Sequence, residues 1–583
     1  MKLARVLEQH REPEDESTEA EIETMWRRLL HLPCIGPDED FFAIGGNSLA
    51  VGQILARVHD RFGSRISWSA FYERPTIAGL AAAVRRGQAP RDPAFAVTPA
   101  EQEQPRTRHP LSSAQQRVWF LEQMDPGLAA YRFQTVIHFR GQLDLGILER
   151  ALSEIVRRHT IFRSTFHSHE GAPVQDVHEA PLIHLGLTDF SPLPEGERDA
   201  ASQRLRDFEF AQPFDLANGP LVRWSVHRID ADNHRLLHQE HHLVHDGWSF
   251  YVFLAELVQL YGAFADGLPS PLPEPPQFCD HAAAEEKWLE SPEARDQLDF
   301  WRDHLRADVP PLPLPCDRPQ PARSSFAGSS ILRPLPLPLC RALRRFCRAE
   351  GVSMYAVLLA GFHALLHRFT GEALIATGCG VANRKSRQSE GLIGMLVNNV
   401  VIQSDLAGDP SFVDLVRATR EKIIRAHDNS EAPFDRVVTA LGIPPGSGRN
   451  PLFQVMFNFH DSPLPDVRLP GVDIDVQNGI SNGSAKFDLN IIVVPHSPQL
   501  AALGSGRDPD SIEILWEYST DLFEAGTIER LFACYVHLVE AAVTNPSETI
   551  DVLPLADPAE TTRQLTIWND TRRDYPREAT VHA

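Results

Sequence analysis

The chain has 583 residues, 43% of them hydrophobic, and a formal net charge of −22. This length predicts three or four domain-sized units. The acidic balance argues against a nucleic-acid binder and against docking on an anionic membrane, because both use basic surfaces. The seven cysteines are widely spaced without a Cys-x-x-Cys pair, which argues against a disulfide framework or a zinc site. No signal segment or membrane-length apolar stretch is evident. We therefore expect a cytoplasmic protein with no membrane contact.

The first 86 residues predict a small helical unit that follows a charged stretch. Residues 1–16 are mostly charged and predict a linker from an upstream domain. A capping-box pattern, Thr18-Glu19-Ala20-Glu21, predicts the start of a helix. A second helix is expected to begin near Ser48 and to stop at Gly63, and a short one to run from Pro75 through Val84. Residues 17–86 therefore predict one all-helical domain.

A larger α/β region follows a polar, proline-containing stretch at residues 87–108, which predicts a linker. Periodicity predicts helices at 145–159, 353–369, 410–427 and 526–543. Strands are predicted at 133–140, 221–229, 234–242, 373–379, 396–403, 453–459, 486–494 and 512–518. Proline-rich residues 268–276 place a boundary between two halves, 109–275 and 276–555. Residues 556–583 predict a second linker, leading to a downstream domain.

A hydroxyl group stands at the expected start of the second helix, in the segment Gly45-Gly46-Asn47-Ser48-Leu49. A helix N-terminus offers unpaired N–H groups and the positive end of the helix dipole, so a phosphodiester on Ser48 would be stabilised there. The alternative is that Ser48 only caps the helix, since serine is a favoured cap. The segment by itself leaves both open.

Two adjacent histidines precede an Asp-Gly pair in His241-His242-Leu243-Val244-His245-Asp246-Gly247. They end a predicted strand, so their side chains should point to opposite faces and only one can face a cavity. An imidazole there could accept a proton near neutral pH. The alternative is a pair of structural histidines with Asp246-Gly247 as a turn. A zinc site lacks a third ligand at suitable spacing.

The Ser48 segment and the acidic Asp38-Glu39-Asp40-Phe41-Phe42 before it resemble the peptidyl carrier domain of nonribosomal peptide synthetases. The resemblance covers residues 17–86, with Asn47 where the family usually has histidine. It implies a four-helix bundle in which a phosphopantetheinyl transferase attaches 4′-phosphopantetheine covalently to Ser48. The thiol of that group would hold an amino acid or peptide as a thioester.

The His-His-x-x-x-Asp-Gly pattern resembles the central motif of nonribosomal peptide synthetase condensation domains. Further family-like segments occur in the expected order over residues 109–555: Leu111 to Leu121, Arg158 to Phe166, Ala382-Asn383-Arg384, Ile393 to Asn398, Ala432 to Asp435 and Arg449 to Phe453. The resemblance implies a multidomain protein in which the carrier bundle precedes an α/β condensation domain. The condensation domain would consist of two halves similar to chloramphenicol acetyltransferase, which form a V with a tunnel between them.

The resemblance also implies roles for individual residues. His242, beside His241, would face the tunnel and either take a proton from the acceptor amine or hold that amine. Asp246 would form an ion pair with Arg163 that fixes the loop, and Gly247 would leave room for the tethered arm. Weaker expectations of a supporting role fall on three further residues: Trp248, Ser249 and Arg384.

The expected reaction is attack of an acceptor amine on a donor thioester, which forms an amide bond and needs no metal. Expected partners are upstream and downstream adenylation domains and a downstream acceptor carrier domain, and the chain is expected to be monomeric. One alternative is a carrier followed by an epimerization domain, although the Glu-Gly-His-type motif of that class is absent from the sequence. The other is a non-catalytic carrier-binding domain, against which the intact histidine motif argues.

Overall fold

The structure is a computed structural model that describes most of the chain. The described residues are 13–30, 32–42, 44–46, 48–86, 108–307, 310–321, 323–443, 450–460, 468–469, 471–477, 480–495, 508, 510–556, 561–567 and 569–570. The side chains of residues 13–17, 48, 49, 387, 468 and 564 are excepted. Of the three predicted linkers, residues 1–12, 87–107 and 571–583 lie outside the described residues.

The first unit is helical. Its helices are α1 (Pro13–Leu30), α2 (Ser48–Phe62), α3 (Trp68–Glu73) and α4 (Ile77–Arg85). Helix α1 runs through Thr18, so the predicted helix start at Thr18 is wrong; the capping-box pattern lies inside a helix that begins earlier. The core of this unit is aromatic: the ring of Phe41 meets those of Trp26 and Phe71 edge to face, at centroid distances of 4.5 and 5.4 Å.

The larger region alternates helices and strands. Its helices are α5 (Ser113–Met124), α6 (Leu145–Arg158), α7 (Glu195–Ala211), α8 (Gly247–Ala265), α9 (Phe278–Trp288), α10 (Pro292–His304), α11 (Leu337–Glu350), α12 (Met354–Thr370), α13 (Arg387–Glu390), α14 (Phe412–Asp428), α15 (Phe434–Ala440) and α16 (Ala525–Thr544). Short single-turn helices also occur, and a π-helix at Arg563–Ile567 ends the described chain apart from residues 569–570. The four helices predicted from periodicity here are confirmed to within two residues at each end.

The strands form three sheets. They are β1 (Arg108–Pro110), β2 (Arg132–Gly141), β3 (Ser164–His169), β4 (Ala172–Val177), β5 (Gly186–Asp189), β6 (Val222–Asp230), β7 (Asn233–His241), β8 (Gly328–Pro334), β9 (Leu374–Val381), β10 (Asn398–Asp405), β11 (Val455–Phe459), β12 (Arg468–Leu469), β13 (Val472–Gln477), β14 (Leu489–Pro495) and β15 (Ile512–Ser519). A small sheet has the order β1-β4-β3. The first large sheet is β12-β13-β2-β7-β6-β5 and the second is β10-β9-β11-β14-β15-β8. All eight predicted strands are present, with shifted ends.

The two large sheets do not follow the order of the chain. Strands β12 and β13 lie beyond the predicted boundary at residue 276, yet β13 pairs antiparallel with β2 in the first sheet. The core of the first sheet also takes in Phe278 from α9 and Leu392 and Leu396 from the segment before β10. The second half of the chain therefore supplies part of the first core, and the predicted division between the halves stays a prediction.

Helix α8 is apolar because it is a core helix. Among the described residues it is the single helix long and apolar enough to cross a bilayer, and the bent pair α11 and α12 would qualify if taken together. Phe253 and Leu254 of α8 are fully buried in the core of the first sheet, where α8 packs against α6. The first core thus accounts for the apolar side of this helix.

Candidate active site and carrier contact

The histidine motif forms the connection between a central strand and a core helix. Strand β7 ends at His241 between β2 and β6, and α8 begins at Gly247. The side chain of Asp246 accepts the N–H of Ser249, so Asp246 is the N-cap of α8. A strand end and a capped helix start hold the loop from both sides, so its side chains have fixed directions.

His241 points into the protein. It is fully buried, and its Nε2 lies 3.1 Å from the Oε1 of Glu122 on α5. Its Nδ1 accepts the N–H of Leu243 at 3.2 Å, so both ring nitrogens have partners. Burial lowers the pKa of His241, against the opposing effect of Glu122. These contacts give His241 a structural role, and neither ring nitrogen is available to bind a reactant.

His242 is half-buried, and its imidazole faces a residue of the segment that leads into the second sheet. Its backbone N–H donates to the carbonyl of Tyr131 at 2.8 Å, which holds the loop against the start of β2. Its Nε2 lies 2.8 Å from Lys486 Nζ. Withdrawal from water holds the pKa of His242 well below its ordinary value, and the charge of Lys486 lowers it further. A neutral imidazole can accept a proton at neutral pH.

Lys486 was not predicted as a site residue. It precedes β14 by three positions and is half-buried, and loss of solvation lowers the pKa of its ammonium to about 8. A chain separation of 244 residues lies between Lys486 and His242, and no spacing rule connects such positions. The available signal was weak: a lone lysine at the entrance of an otherwise apolar strand.

Asp246 pairs with Arg384, and the predicted ion pair with Arg163 is wrong. The two guanidinium nitrogens Nη1 and Nη2 of Arg384 donate to Oδ2 and Oδ1 of Asp246 at 2.9 and 3.0 Å, with both side chains about 1% exposed. Arg163 instead donates to the backbone carbonyl of His178. Arg163 ends a short helical turn that leads into β3, and there its side chain stabilises the edge of the small sheet.

The remaining partners of Asp246 come from the segment before β10 and from Ser249 in α8. Its Oδ2 also accepts the N–H groups of Leu396 and Val397, at 3.0 and 3.2 Å. The hydroxyl of Ser249 lies 2.7 Å from the Oδ1 of Asp246 and accepts the N–H of Gly394 at 3.0 Å. Burial would raise the pKa of Asp246, but the charge and hydrogen bonds of Arg384 hold it below its usual range. The carboxylate is therefore ionised and joins the loop to the second half of the chain.

Gly247 and Trp248 are at the start of α8. Gly247 is exposed, and a Cβ built on it would meet nothing within 4 Å, so a side chain would project into open space. The indole N–H of Trp248 donates to the carbonyl of Glu390 in α13 at 2.9 Å, and the Arg384 guanidinium lies 5.7 Å from the centre of its ring. Trp248 therefore links α8 to α13.

The sequence motif also gave no indication of Glu240, a buried acidic residue behind the loop. Glu240 is fully buried and lies within ion-pair distance of His238 and His245, with 3.2 Å to His238 Nε2. Burial opposes ionisation, yet the charges of His245 and His238 lower the pKa of Glu240 to about 2. The ring of His245 lies 6.0 Å from that of His242. Alternation along β7 indicated the strand but not this cluster.

The helix that begins at Ser48 lies against the large region. Helix α2 contacts α13, the helix whose Glu390 carbonyl accepts the indole N–H of Trp248. Ser48 is the first residue of α2, and Gly45 before it has a φ of +103° with open space around its Cβ position. A serine at the first position of a helix, preceded by an open glycine turn, fits a phosphate-linked cofactor.

The helical unit packs against helix α14. The carboxylate of Asp428 accepts the N–H of Trp68 at 2.7 Å and that of Ser69 at 3.3 Å. The indole of Trp68 stacks on the ring of His427, with 4.3 Å between centroids. Arg420 donates to the carbonyl of Tyr72 at 3.1 Å, and its guanidinium lies over the Tyr72 ring.

Comparison with protein-family models identifies the families of the two parts of the chain. The model of the condensation domain matches residues 106–565, and that of the phosphopantetheine attachment site matches residues 20–84. The chain belongs to the condensation-domain family. A carrier domain precedes the condensation domain, so the predicted order is confirmed, and so is 4′-phosphopantetheine as the cofactor of the carrier.

The relatives are nonribosomal peptide synthetases. Phosphinothricin tripeptide synthetase PhsB of Streptomyces viridochromogenes is 35% identical over 96% of this chain and 46% of its own length. The dimodular nonribosomal peptide synthase of Bacillus subtilis is 32% identical over 95% of this chain and 23% of its own. The X-domain from teicoplanin biosynthesis is 25% identical, with a TM-score of 0.70 over 79% of this chain and 100% of that one. The chain spans less than half the length of these curated relatives.

Proposed function

We propose that this chain forms an amide bond between a donor acyl group on its own carrier domain and an amine on a second carrier. The observation that carries the proposal is the half-buried imidazole of His242 in the loop between β7 and α8, where its Nε2 faces Lys486 at 2.8 Å. Burial holds the pKa of this imidazole below its ordinary value, so it is neutral at neutral pH. A neutral imidazole can accept or hold the proton of an attacking amine. The thioester donor is already activated, so the reaction needs no covalent enzyme intermediate.

The cofactor supplies a flexible arm with a terminal thiol that holds the acyl group. Ser48 would carry it at the start of α2, the helix that contacts α13. Because Trp248 donates a hydrogen bond to α13, we propose that the arm enters beside Trp248 and Gly247. Bringing two tethered reactants together can supply roughly 7–11 kcal/mol in ideal cases. The protein therefore acts mainly by alignment.

Asp246 has a supporting role in this proposal. Its carboxylate is saturated by Arg384, Ser249 and the backbone of residues 396–397, which leaves it no part in proton transfer. It holds the loop so that His242 keeps its direction. Gly247 leaves the space for the arm that any side chain would fill.

The function implies partner domains and a modifying enzyme. We propose upstream and downstream adenylation domains that activate the amino acids, a downstream carrier that brings the acceptor amine, and a phosphopantetheinyl transferase that modifies Ser48. All seven cysteines are free thiols, which supports a reducing, cytoplasmic location. We propose a monomer that binds neither nucleic acid nor membrane.

The test uses the full chain after transfer of phosphopantetheine and loading of a donor amino acid on Ser48. A soluble aminoacyl-pantetheine serves as the acceptor, and intact mass reports both loading and product. Wild type should form the dipeptide thioester. His242→Ala should load normally yet form peptide about 10²–10⁴-fold more slowly, the usual contribution of a positioned acid–base group.

Two results would contradict this function. Inversion of the donor's configuration with no peptide formed would make the chain an epimerization domain. Loading without either reaction, in wild type, would make it a carrier-binding domain only. Undiminished peptide formation by His242→Ala would remove His242 from the mechanism and leave the function in place.

A further inference from the structure

Lys486 contacts the reacting imidazole directly, and none of the family motifs includes it. Its Nζ lies 2.8 Å from Nε2 of His242, so the ammonium donates and the ring nitrogen accepts. His242 belongs to the first sheet, and Lys486 leads into β14 of the second. This hydrogen bond therefore joins the two halves at the reacting group.

We propose that Lys486 is a positioning residue for amide-bond formation: its hydrogen bond to Nε2 holds the ring of His242 and keeps that nitrogen free of a proton. This inference rests on the proposed function. A ring nitrogen that accepts from an ammonium cannot also carry a hydrogen. The contact thus selects the tautomer of His242 that carries its hydrogen on Nδ1. Because Nε2 has one lone pair, the acceptor amine must replace the Lys486 ammonium at that nitrogen before its proton can be transferred there.

The surroundings of Lys486 keep its ammonium at this place. Its Nζ lies 5.1 Å from the ring centroid of Tyr131, an attractive cation–π arrangement. The Tyr131 ring also meets that of His242 nearly perpendicularly, at 6.1 Å. Glu517 on β15 favours the charged form of Lys486, and Arg117 opposes it. With a pKa of about 8, Lys486 is mostly protonated at neutral pH and able to donate.

The charged groups that face His242 predict the sign of a pH effect. Lys486, His245 and His241 each disfavour the imidazolium, and the backbone of His245 favours it. Loss of the lysine charge therefore raises the pKa of His242. Since the neutral imidazole is the active form, the acid limb of the pH profile moves to higher pH. Loss of solvation, the largest cause of the low pKa of His242, remains in the variant. The midpoint of the acid limb therefore stays below the ordinary pKa range of histidine.

The experiment measures peptide formation on the loaded full chain against pH and acceptor concentration. Lys486→Met should lower kcat by roughly 10²-fold, the cost of misplacing a reacting group by about 1 Å, and move the acid limb upward. Lys486→Gln keeps a donor without the charge, so it should retain most of kcat and still move the limb. Lys486→Arg keeps both and should restore the wild-type limb.

A second lysine provides the control. Lys422 on α14 is half-buried, and the charged groups that act on it are Asp405 and Glu421, neither of which belongs to the histidine loop. Lys422→Met should therefore keep the wild-type profile. A Lys486→Met protein with wild-type kcat and an unmoved acid limb would overturn the proposal, as would a lower acceptor KM with unchanged kcat. Wild-type chain that forms no peptide would instead refute the proposed function, and it would do so without reference to Lys486.

Discussion

At the scale of single residues, the ion pair between Asp246 and Arg384 determines the shape of the histidine loop. Both side chains are buried, and the guanidinium meets the carboxylate with two parallel hydrogen bonds. Such a pair adds little over an apolar pair of the same shape, but removal of one partner leaves an uncompensated buried charge. The loop is therefore sensitive to loss of Arg384 and indifferent to Arg163.

Arg384→Met should lower the free energy of unfolding by about 3–5 kcal/mol, because it leaves the Asp246 carboxylate buried without its cation. Arg163→Met is the matched control and should cost less, about 1.5–3 kcal/mol at most, since it removes a single hydrogen bond from a charged group to a backbone carbonyl. Urea denaturation followed by tryptophan fluorescence measures both. Equal costs for the two variants would contradict the assignment of Arg384 as the partner.

The candidate site could be predicted in part from the sequence. The heptapeptide indicated His242 and Asp246 because a strand end and a helix cap are local features. The partner of Asp246 is a residue 138 positions away, and the expected segments contain five arginines that could have been that partner. Only the packing of the segment before β10 against the start of α8 selects Arg384. Lys486 had only a weak local signal, a lone lysine before an apolar strand, since its role arises where segments of the two sheets meet.

At the scale of elements, helix α14 is the surface against which the carrier domain packs. It presents its last turn to the first residues of α3, so that the Asp428 carboxylate receives two backbone N–H groups. Ile424 of the same helix is buried in the core of the carrier unit. In this position of the carrier domain, α2 contacts α13. A helix was predicted at 410–427, but its carrier contact depends on tertiary placement.

Asp428→Ala should weaken this contact by about 1.5–3 kcal/mol, the usual value of hydrogen bonds to a charged group. Hydrogen–deuterium exchange should show faster exchange in the peptide that contains Trp68 and Ser69. Glu421→Ala, an exposed residue on the same helix, is the control and should leave that exchange unchanged. Equal protection of the peptide in wild type and Asp428→Ala would show that the carrier does not rest on α14 in solution.

At the scale of the whole molecule, strands of the two large sheets alternate along the chain, so that neither sheet is built from one continuous segment. Strand β13 lies between β11 and β14 along the chain, and these two pair in the second sheet, yet β13 pairs with β2 of the first. The hydrophobic patterns predicted the strands themselves because burial repeats every second residue. They could not assign β12 and β13 to a sheet, because pairing between distant segments leaves no periodicity. The same alternation brings the Lys486 segment across to His242.

A substitution in β13 should therefore loosen the first sheet. Ile474 is buried in the first core opposite Phe139 of β2, and its truncation to alanine should cost about 2–5 kcal/mol. We expect faster hydrogen–deuterium exchange in β2. Ile491→Ala, a buried isoleucine of β14, should instead speed exchange in the paired strand β15 and leave β2 unchanged.

A clean division of the chain at residue 276 makes the opposite prediction for Ile474→Ala, because its effect would stay within the second half. Protection of β2 is thus the deciding measurement. If β2 loosens, β12 and β13 stabilise the first sheet although they come from the second half of the chain. Any movement between the two halves would then have to move β12 and β13 together with the first sheet. Lys486, nine positions after the end of β13 at Gln477 and three before β14, then lies between a strand fixed in the first sheet and a strand of the second.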